Sequence, residues 1–574
     1  MSSFNRHFCA LVALYGICAT GFARVEIQGL DEELQLAALS AISLKREPCE
    51  APDWRLDALH QRTEEEIRSV LEARGFYSAQ IASEIDHDAD CWIAHIVVDP
   101  GSPVVIRDVE TRILGGAASD PDFKRILQES TLTSRRQLNQ AEYEQLKTQL
   151  TTLAQRKGYA DARFSQSRID VYPDELAADI ALEFDSGARY TFGEIAIQQD
   201  FLNENLVRRF IDFRTGDPYD RTKLTALYNS LIDSGYFGLV DVRPLAADPE
   251  LRQIPLRIEL TPGNRKTLSY GGGYSTDTGP RLRIARNNRR LNARGAQRNI
   301  NAELSPVLSE FTVAYRFPQG DPRFEWVSLD AGLMREDSET VQSESVDLGA
   351  RRIVRRWQDW QETQFINFLV EDFEIAEEVD RTTLLQPGMS WLRVRADNTI
   401  RPTKGDKLTF EISAASDRIV SDTSFVQTIA EARWIRSFSS ASRVLTRLRA
   451  GATWNNDFES LPPSARFFAG GDNSIRGYEF HSQGPVDADG QVIGGDRLLV
   501  GSVEYEHRLK ERWSFATFYD AGNAFHEREV NAVAGFGIGA RWLSPLGPIR
   551  LDVARPLDGL DHGLRLHISL GPDL

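Results

Sequence analysis

The sequence predicts two kinds of structure in series: small α+β repeats in the first half, and an all-β antiparallel transmembrane barrel of about sixteen strands in the second. Two observations predict this fold class. A β-α-α-β-β pattern recurs up to about residue 263, and segments of about ten residues with alternating polar and apolar side chains follow it. At 574 residues the chain exceeds what one hydrophobic core holds, so several domains are expected.

The N-terminus has the composition of a secretory leader. Arg6 lies in a short polar start, residues 8–17 are mostly apolar, and residues 21–23 (Gly-Phe-Ala) fit a small-x-small cleavage pattern. We expect residues 1–23 to be a signal peptide and the mature chain to begin near Arg24. Beyond this leader there is no run of 18 apolar residues, so any membrane crossing is expected to consist of strands.

Two cysteines remain beyond the leader, Cys49 and Cys91. In an exported protein such a pair indicates one disulfide more than a metal site or a nucleophile. A bridge that closes a loop of this size stabilises the folded chain by roughly 3 to 5 kcal/mol through the entropy of the unfolded chain. We therefore predict a Cys49–Cys91 disulfide.

Three repeats are recognised by their glycines. In each one a helical segment ends in glycine and an aromatic residue, at Gly75-Phe76, Gly158-Tyr159 and Gly235-Tyr236. Glycine can adopt the left-handed conformation that ends a helix, and the aromatic ring can pack back. Two strands follow and end at Gly101, Gly187 and Gly263, and an opening strand precedes each helical pair. The predicted domains are 24–101, 104–187 and 189–263.

These β-α-α-β-β units resemble the POTRA (polypeptide-transport-associated) domain, which precedes the barrels of the outer-membrane insertase superfamily. The resemblance implies three periplasmic POTRA domains whose edge strands bind partners or substrate chains by strand addition. The physical basis is the row of unpaired backbone groups on an edge strand. The alternative that the repeats are only spacers stays open, and spacing and binding are compatible.

The second half, 264–574, is predicted to be the barrel. In one segment Val444, Leu448 and Trp454 fall on one face while Arg447 and Arg449 fall on the other, as expected for lipid-facing and lumen-facing positions. Counting such segments gives about sixteen, an even number as in single-chain bacterial barrels. A soluble β-sandwich also alternates, but the export signal and the segment length favour the barrel.

A long segment at about 455–496 interrupts the barrel strands and contains Ile475-Arg476-Gly477-Tyr478. This motif resembles the V/I-R-G-F/Y motif of the lumenal loop in the insertase superfamily. By that resemblance the loop folds back into the barrel and Arg476 contacts inward-facing acids, for which Glu504 and Asp520 are the matching positions. Paired hydrogen bonds between guanidinium and carboxylate would then hold the loop in place. Whether Arg476 has a dynamic or a purely structural role is left open.

Three glycines, Gly271, Gly272 and Gly273, lie in the first barrel strand. No Gly-Lys-Ser/Thr follows them, so they are not a phosphate loop, and in a strand they weaken pairing or permit bending. Together with the three POTRA-like units, this stretch most resembles the TamA family within the superfamily. The resemblance implies a weak lateral seam, defined here as the junction of the first and last barrel strands, where an incoming strand is templated.

The net charge of −17 does not favour a nucleic-acid partner. No Gly-x-Ser-x-Gly motif occurs and the nine histidines have no metal-ligand or triad spacing, so we expect no enzyme, no cofactor and no metal. The resemblance implies an outer-membrane assembly factor for proteins such as autotransporters, with unfolded outer-membrane proteins, membrane lipid and a TamB-like, inner-membrane-anchored periplasmic protein as partners. Two alternatives stay open, TamB-linked phospholipid transport and a two-partner-type secretion pore.

Overall fold

The structure is a computed structural model, and it describes residues 24–87, 91–357, 359–398, 401–526, 531–544, 547–558 and 563–570. The predicted signal peptide, residues 1–23, lies outside the described residues. Within the described ranges, no helix combines the length and the apolar character needed to cross a membrane.

The first small sheet consists of β1 (Arg24–Gln28), β2 (Gln80–His87) and β3 (Trp92–Asp99), in the order β1-β3-β2. Strand β1 is parallel to β3, and β2 is antiparallel to it. The helices α1 (Glu32–Ala41) and α2 (Asp53–Ala73) precede β2 in the chain. Alternate residues of β3 are buried against these helices, so the period-two pattern of its sequence determines which face forms the core.

The second sheet repeats this order with β4 (Val105–Leu114), α3 (Pro121–Glu129), α4 (Gln140–Lys157), β5 (Arg163–Tyr172) and β6 (Ala177–Asp185). Helix α4 begins where the Asn139 side chain accepts a hydrogen bond from the Ala141 amide. It ends at Gly158, whose φ of 81° is the left-handed cap that the sequence predicts. The next residue, Tyr159, is buried in the core of this domain.

The third sheet has the order β7-β9-β8, from β7 (Thr191–Gln198), β8 (Phe237–Pro244) and β9 (Gln253–Pro262). The helices α5 (Glu204–Arg208) and α6 (Arg221–Asp233) lie between β7 and β8 in the chain. All three sheets therefore share one topology, in which the last strand lies in the middle.

Sixteen antiparallel strands, β10 to β25, form the barrel, each paired with its neighbours in sequence. Their bounds are Lys266–Ser275, Gly279–Asn288, Gln297–Leu304, Leu308–Pro318, Trp326–Asp337, Val341–Arg356, Trp360–Ile375, Glu378–Ala396, Lys404–Ala415, Phe425–Ser437, Ser442–Asn455, Arg497–Lys510, Trp513–Phe525, Val533–Ser544, Gly547–Pro556 and Arg565–Leu570. The predicted fold class, α+β repeats followed by a sixteen-stranded barrel, is confirmed.

The strands of the barrel differ in length. Strand β17 has 19 residues, whereas β25 has 6 within the described residues.

Because consecutive strands run in opposite directions, the turn after β10 and the long loop after β20 lie at the same end of the barrel. The loop at 456–496, called the lumenal loop below, therefore enters from the end at which the first hairpin turns.

Candidate functional site

The lumenal loop is packed among inward-facing side chains of the barrel. Ile475 has no exposed surface and contacts an apolar group that includes Leu498 and Val500 of β21 and Ala524 of β22. Earlier in the loop, Arg466 donates to both oxygens of Glu378 at 2.9 Å. The loop is therefore fixed to the barrel wall at several points along its length.

Arg476 is the central residue of the site and is only 6% exposed. Its Nε donates to Asp520 Oδ2 at 2.8 Å and its Nη2 to Asp520 Oδ1 at 3.0 Å, which is a two-point contact. Its Nη1 donates to Glu504 Oε2 at 2.7 Å and to Asp552 Oδ2 at 3.1 Å. Such charge-assisted bonds fix both the position and the orientation of a guanidinium.

The two acids that the sequence indicates, Glu504 and Asp520, are thus brought to Arg476 in the structure. They come from different strands, β21 and β22, and alternation turns both toward the lumen. The backbone amide of Arg476 also donates to Asp520 Oδ2 at 3.1 Å. Asp520 therefore holds both the backbone and the side chain of the motif.

A second arginine, Arg541 of β23, completes the cluster and was not among the predicted site residues. It donates to Glu504 Oε1 at 2.7 and 3.0 Å, and to Asp552 Oδ1 of β24 at 2.5 Å. Two guanidiniums therefore share three buried carboxylates, those of Glu504, Asp520 and Asp552. Such an arrangement compensates charges that would be costly to bury singly. Arg541 lies in the Gly-rich stretch 535–542. Alternation along β23 places its side chain toward the lumen, and this alternation is the sequence feature that could have indicated it.

An aromatic ring lies beneath Arg476. The guanidinium carbon is 3.4 Å from the centre of the Phe518 ring, which is 2% exposed. A cation over an aromatic face is attracted by the ring, more strongly where water is excluded.

Two glycines allow the backbone of the motif to approach the wall. Gly477 has a φ of 107°, a backbone conformation that residues with a side chain rarely adopt. A Cβ on Gly535 of β23 would lie 1.9 Å from the Arg476 carbonyl oxygen, so any side chain there would displace the loop. The fourth motif residue, Tyr478, donates its hydroxyl to the Ala534 carbonyl at 3.3 Å. Arg476 and Tyr478 of the motif therefore approach β23, while Gly477 approaches β24.

The seam is built from β10 and β25, which lie side by side. Within the described residues no backbone ladder joins them, and the sheet order runs from β10 to β25 without closing. One hydrogen bond crosses here, from the Ile568 amide to Thr276 Oγ1 at 3.3 Å. Both strand edges therefore carry backbone groups that neighbouring strands do not pair.

The first-strand glycines lie along this edge and pair with β11 without interruption: Gly271 with Arg283, Gly272 with Leu282 and Gly273 with Arg281. A Cβ at Gly271 or Gly272 would meet no atom closer than 3.8 Å. Local space therefore does not require glycine at these two positions. The glycines leave this part of β10 without side chains.

Cys49 and Cys91 form a disulfide with an S–S distance of 2.08 Å. It joins the segment before α2 to the residue that precedes β3, within the first small domain. The disulfide is far from the Arg476 cluster in sequence, and it stabilises the first small domain.

The family of the chain follows from its barrel. Just over half of the chain, residues 281–572, matches the Omp85 superfamily domain. The chain belongs to the Omp85 superfamily. Residues 24–100 of this Omp85 protein match the family described as POTRA domain TamA domain 1, and residues 190–263 match the POTRA family described as surface antigen variable number repeat.

One curated protein and two solved structures are similar to this chain. The outer membrane protein assembly factor BamA of Nitratidesulfovibrio vulgaris (strain Hildenborough) is 24% identical over 439 residues, which cover 72% of this Omp85 protein and 55% of BamA. This chain thus spans about half the length of that curated relative. BamA from Haemophilus ducreyi lacking POTRA domains 1-3 has the same fold, with a TM-score of 0.66 at 14% identity, over 81% of this chain and 99% of that one. CdiB from Acinetobacter baumannii covers 81% of this chain and 90% of its own with 14% identity, but its TM-score of 0.44 is too low to support a conclusion.

Proposed function

We propose that this Omp85 protein is an outer-membrane assembly factor, with its barrel in the outer membrane and its N-terminal domains in the periplasm. Its clients are unfolded outer-membrane proteins such as autotransporters. The observation that carries the proposal is the seam, where β10 and β25 adjoin without a backbone ladder in the described part of the chain. The similarity to a protein named as an assembly factor supports it.

The proposed mechanism is strand addition at the seam. An unpaired edge presents amide and carbonyl groups that a client strand can pair with, which saves the client from exposing those groups to lipid. Gly271 and Gly272 leave room beside the backbone of β10. Strand addition makes and breaks no covalent bond, so the proposed activity is not enzymatic.

Arg476 holds the lumenal loop against β21 to β24 in this mechanism. If its role is only to support folding, Arg476→Lys lowers the amount of folded barrel and leaves client assembly per folded barrel unchanged. If the loop moves during assembly, the same variant lowers assembly per folded barrel. Quantifying folded barrel by heat-modifiable gel migration, alongside client assembly, separates the two roles.

The three small domains are proposed to bind a TamB-like periplasmic protein. The match of residues 24–100 to POTRA domain TamA domain 1 supports this partner. The physical requirement is a free strand edge, and the outer strands β1 and β2 of the first sheet each have one side without a partner in that sheet. Loss of TamB co-purification when residues 24–101 are deleted is expected, whereas unchanged recovery would place the contact elsewhere.

Depletion of the protein, followed by quantitative measurement of outer-membrane protein and phospholipid contents, tests the proposal. We expect selective loss of barrel or autotransporter proteins. Normal barrel proteins with altered phospholipid would instead support TamB-linked lipid transport. Loss of one exported, non-membrane protein alone would support a two-partner-type secretion pore.

A further inference from the structure

A group of polar side chains connects the tip of the lumenal loop to both sides of the seam. Asp472, in the loop, accepts hydrogen bonds from Ser275 Oγ at 2.8 Å and from Thr276 Oγ1 at 3.0 Å, at the end of β10. The same carboxylate is 2.5 Å from Nδ1 of His567, in β25. One side chain of the loop therefore contacts the first and the last barrel strand at once.

The hydrogen-bond directions of His567 are set by its neighbours. Its Nε2 accepts from the backbone amide of Gly477 at 2.9 Å, so the remaining proton lies on Nδ1 and is donated to Asp472. Gly477 directly follows Arg476 in the chain. A continuous hydrogen-bonded path thus joins the Arg476 motif to β25, then to the loop tip, and then to β10.

Burial strengthens these contacts. His567 is 3% exposed, and the Asp472 side chain is 6% exposed. Hydrogen bonds to a carboxylate removed from water contribute more than neutral ones at the surface. Within the described residues, one hydrogen bond crosses the seam without the loop, from the Ile568 amide of β25 to Thr276 Oγ1, in the turn directly after β10.

We propose that Asp472 bridges the seam, holding β10 and β25 together through the lumenal loop, so that the seam opens only when the loop tip releases one of them. This inference deepens the proposed function by naming the group that controls the opening. It makes the position of the loop, rather than strand pairing, the main determinant of whether the seam is closed.

A second carboxyl group, that of Asp277, lies beside this bridge. Asp277, in the turn after β10, accepts from the Asp472 amide at 2.7 Å, so the two carboxyl groups are close together. Burial and the Asp472 carboxylate raise the pKa of Asp277 to about 6, while the hydrogen bond from the Asp472 amide and the nearby His567 and His481 act in the opposite direction. When both carboxyl groups are ionised, their repulsion opposes the hydrogen bonds of the bridge.

Hydrogen exchange of the full chain in lipid nanodiscs tests the bridge without any client protein. For Asp472→Ala we expect the amides of β10 and β25 to exchange roughly tenfold faster or more, because an edge strand that the loop no longer holds separates more readily from its paired neighbour, β11 or β24. The matched control is Asp489→Ala, which removes the same charge from an exposed position of the same loop and is expected to leave both strands unchanged.

Faster exchange in the loop alone, with β10 and β25 unchanged, would overturn the proposal. If Asp472→Ala does not fold, Ser275→Ala decides in the same way, since it removes one of the two hydrogen bonds of the bridge beside β10 and leaves the contact between Ile568 and Thr276 in place. Client assembly is measured separately. Faster exchange in β10 and β25 with normal client assembly would support the Asp472 bridge and refute strand addition at the seam. Unchanged exchange in both strands would refute the bridge and leave strand addition untouched.

Discussion

Replacing Arg476 by alanine is expected to destabilise the barrel strongly. The substitution removes the side-chain hydrogen bonds to Asp520, Glu504 and Asp552, at 2.7 to 3.1 Å, and leaves Asp520 with no exposed surface and no guanidinium hydrogen-bonded to it. Removing one partner of a buried ion pair costs about 3 to 5 kcal/mol, since the other charge stays buried. We expect a loss of that size in the free energy of unfolding.

The assay is denaturant unfolding of the barrel in detergent, followed by tryptophan fluorescence and by gel migration. The matched control is Arg395→Ala, because Arg395 pairs with Asp359 at 2.8 Å but the two side chains are 50% and 42% exposed. Exposed pairs contribute at most about 1 kcal/mol. If Arg476→Ala lowers the free energy of unfolding no more than Arg395→Ala, the cluster does not hold the loop as described.

Three further predictions concern other parts of the chain. Gly535→Ala should displace the loop and lower barrel stability, seen as a lower melting temperature, whereas Gly501→Ala, whose Cβ would meet only atoms at 3.9 Å or more, should not. Asp277→Asn should stabilise the barrel, by an amount on the order of 3 kcal/mol, at pH 8 but not at pH 4. The pKa of Asp277 is raised to about 6 in the folded barrel, so the protonated carboxyl favours folding at low pH and this contribution is lost as the pH rises through 6. Asparagine resembles the protonated carboxyl at every pH, so the gain in stability is expected only where Asp277 would be ionised. Reduction of the Cys49–Cys91 disulfide, which spans 42 residues, should destabilise the first domain by about 4 kcal/mol, measured as a separate thermal transition of the full chain with and without reductant.

Much of the fold could be predicted because its signals are local. The glycine and aromatic pair at Gly158-Tyr159 marks a helix end through the backbone of one residue, and the structure has φ of 81° there. Alternation along a strand such as β20 assigns its faces without knowledge of the neighbours. Strand lengths were harder to predict: segments of about ten residues were expected, whereas β17 has 19. Paired strands can continue beyond the membrane, where no change of period marks their ends.

The site was only partly predictable, because its members come from strands far apart in sequence. A family motif points to Arg476, Glu504 and Asp520, and the structure brings these three together. Asp552 and His567 look like ordinary inward-facing polar residues, as barrels have on most strands. Their partners depend on the register of four or more strands and on the path of a loop, and a single sequence does not contain that information.

The central claim, that clients are assembled at the seam between β10 and β25, is tested most directly by tying the two strands together. A cysteine in β10 and a cysteine in β25 would be placed in the full chain, which replaces the depleted protein, with the two single-cysteine variants as controls. We predict that the oxidised double variant fails to restore client assembly while both controls restore it. Normal client assembly with the seam fully crosslinked would contradict the account.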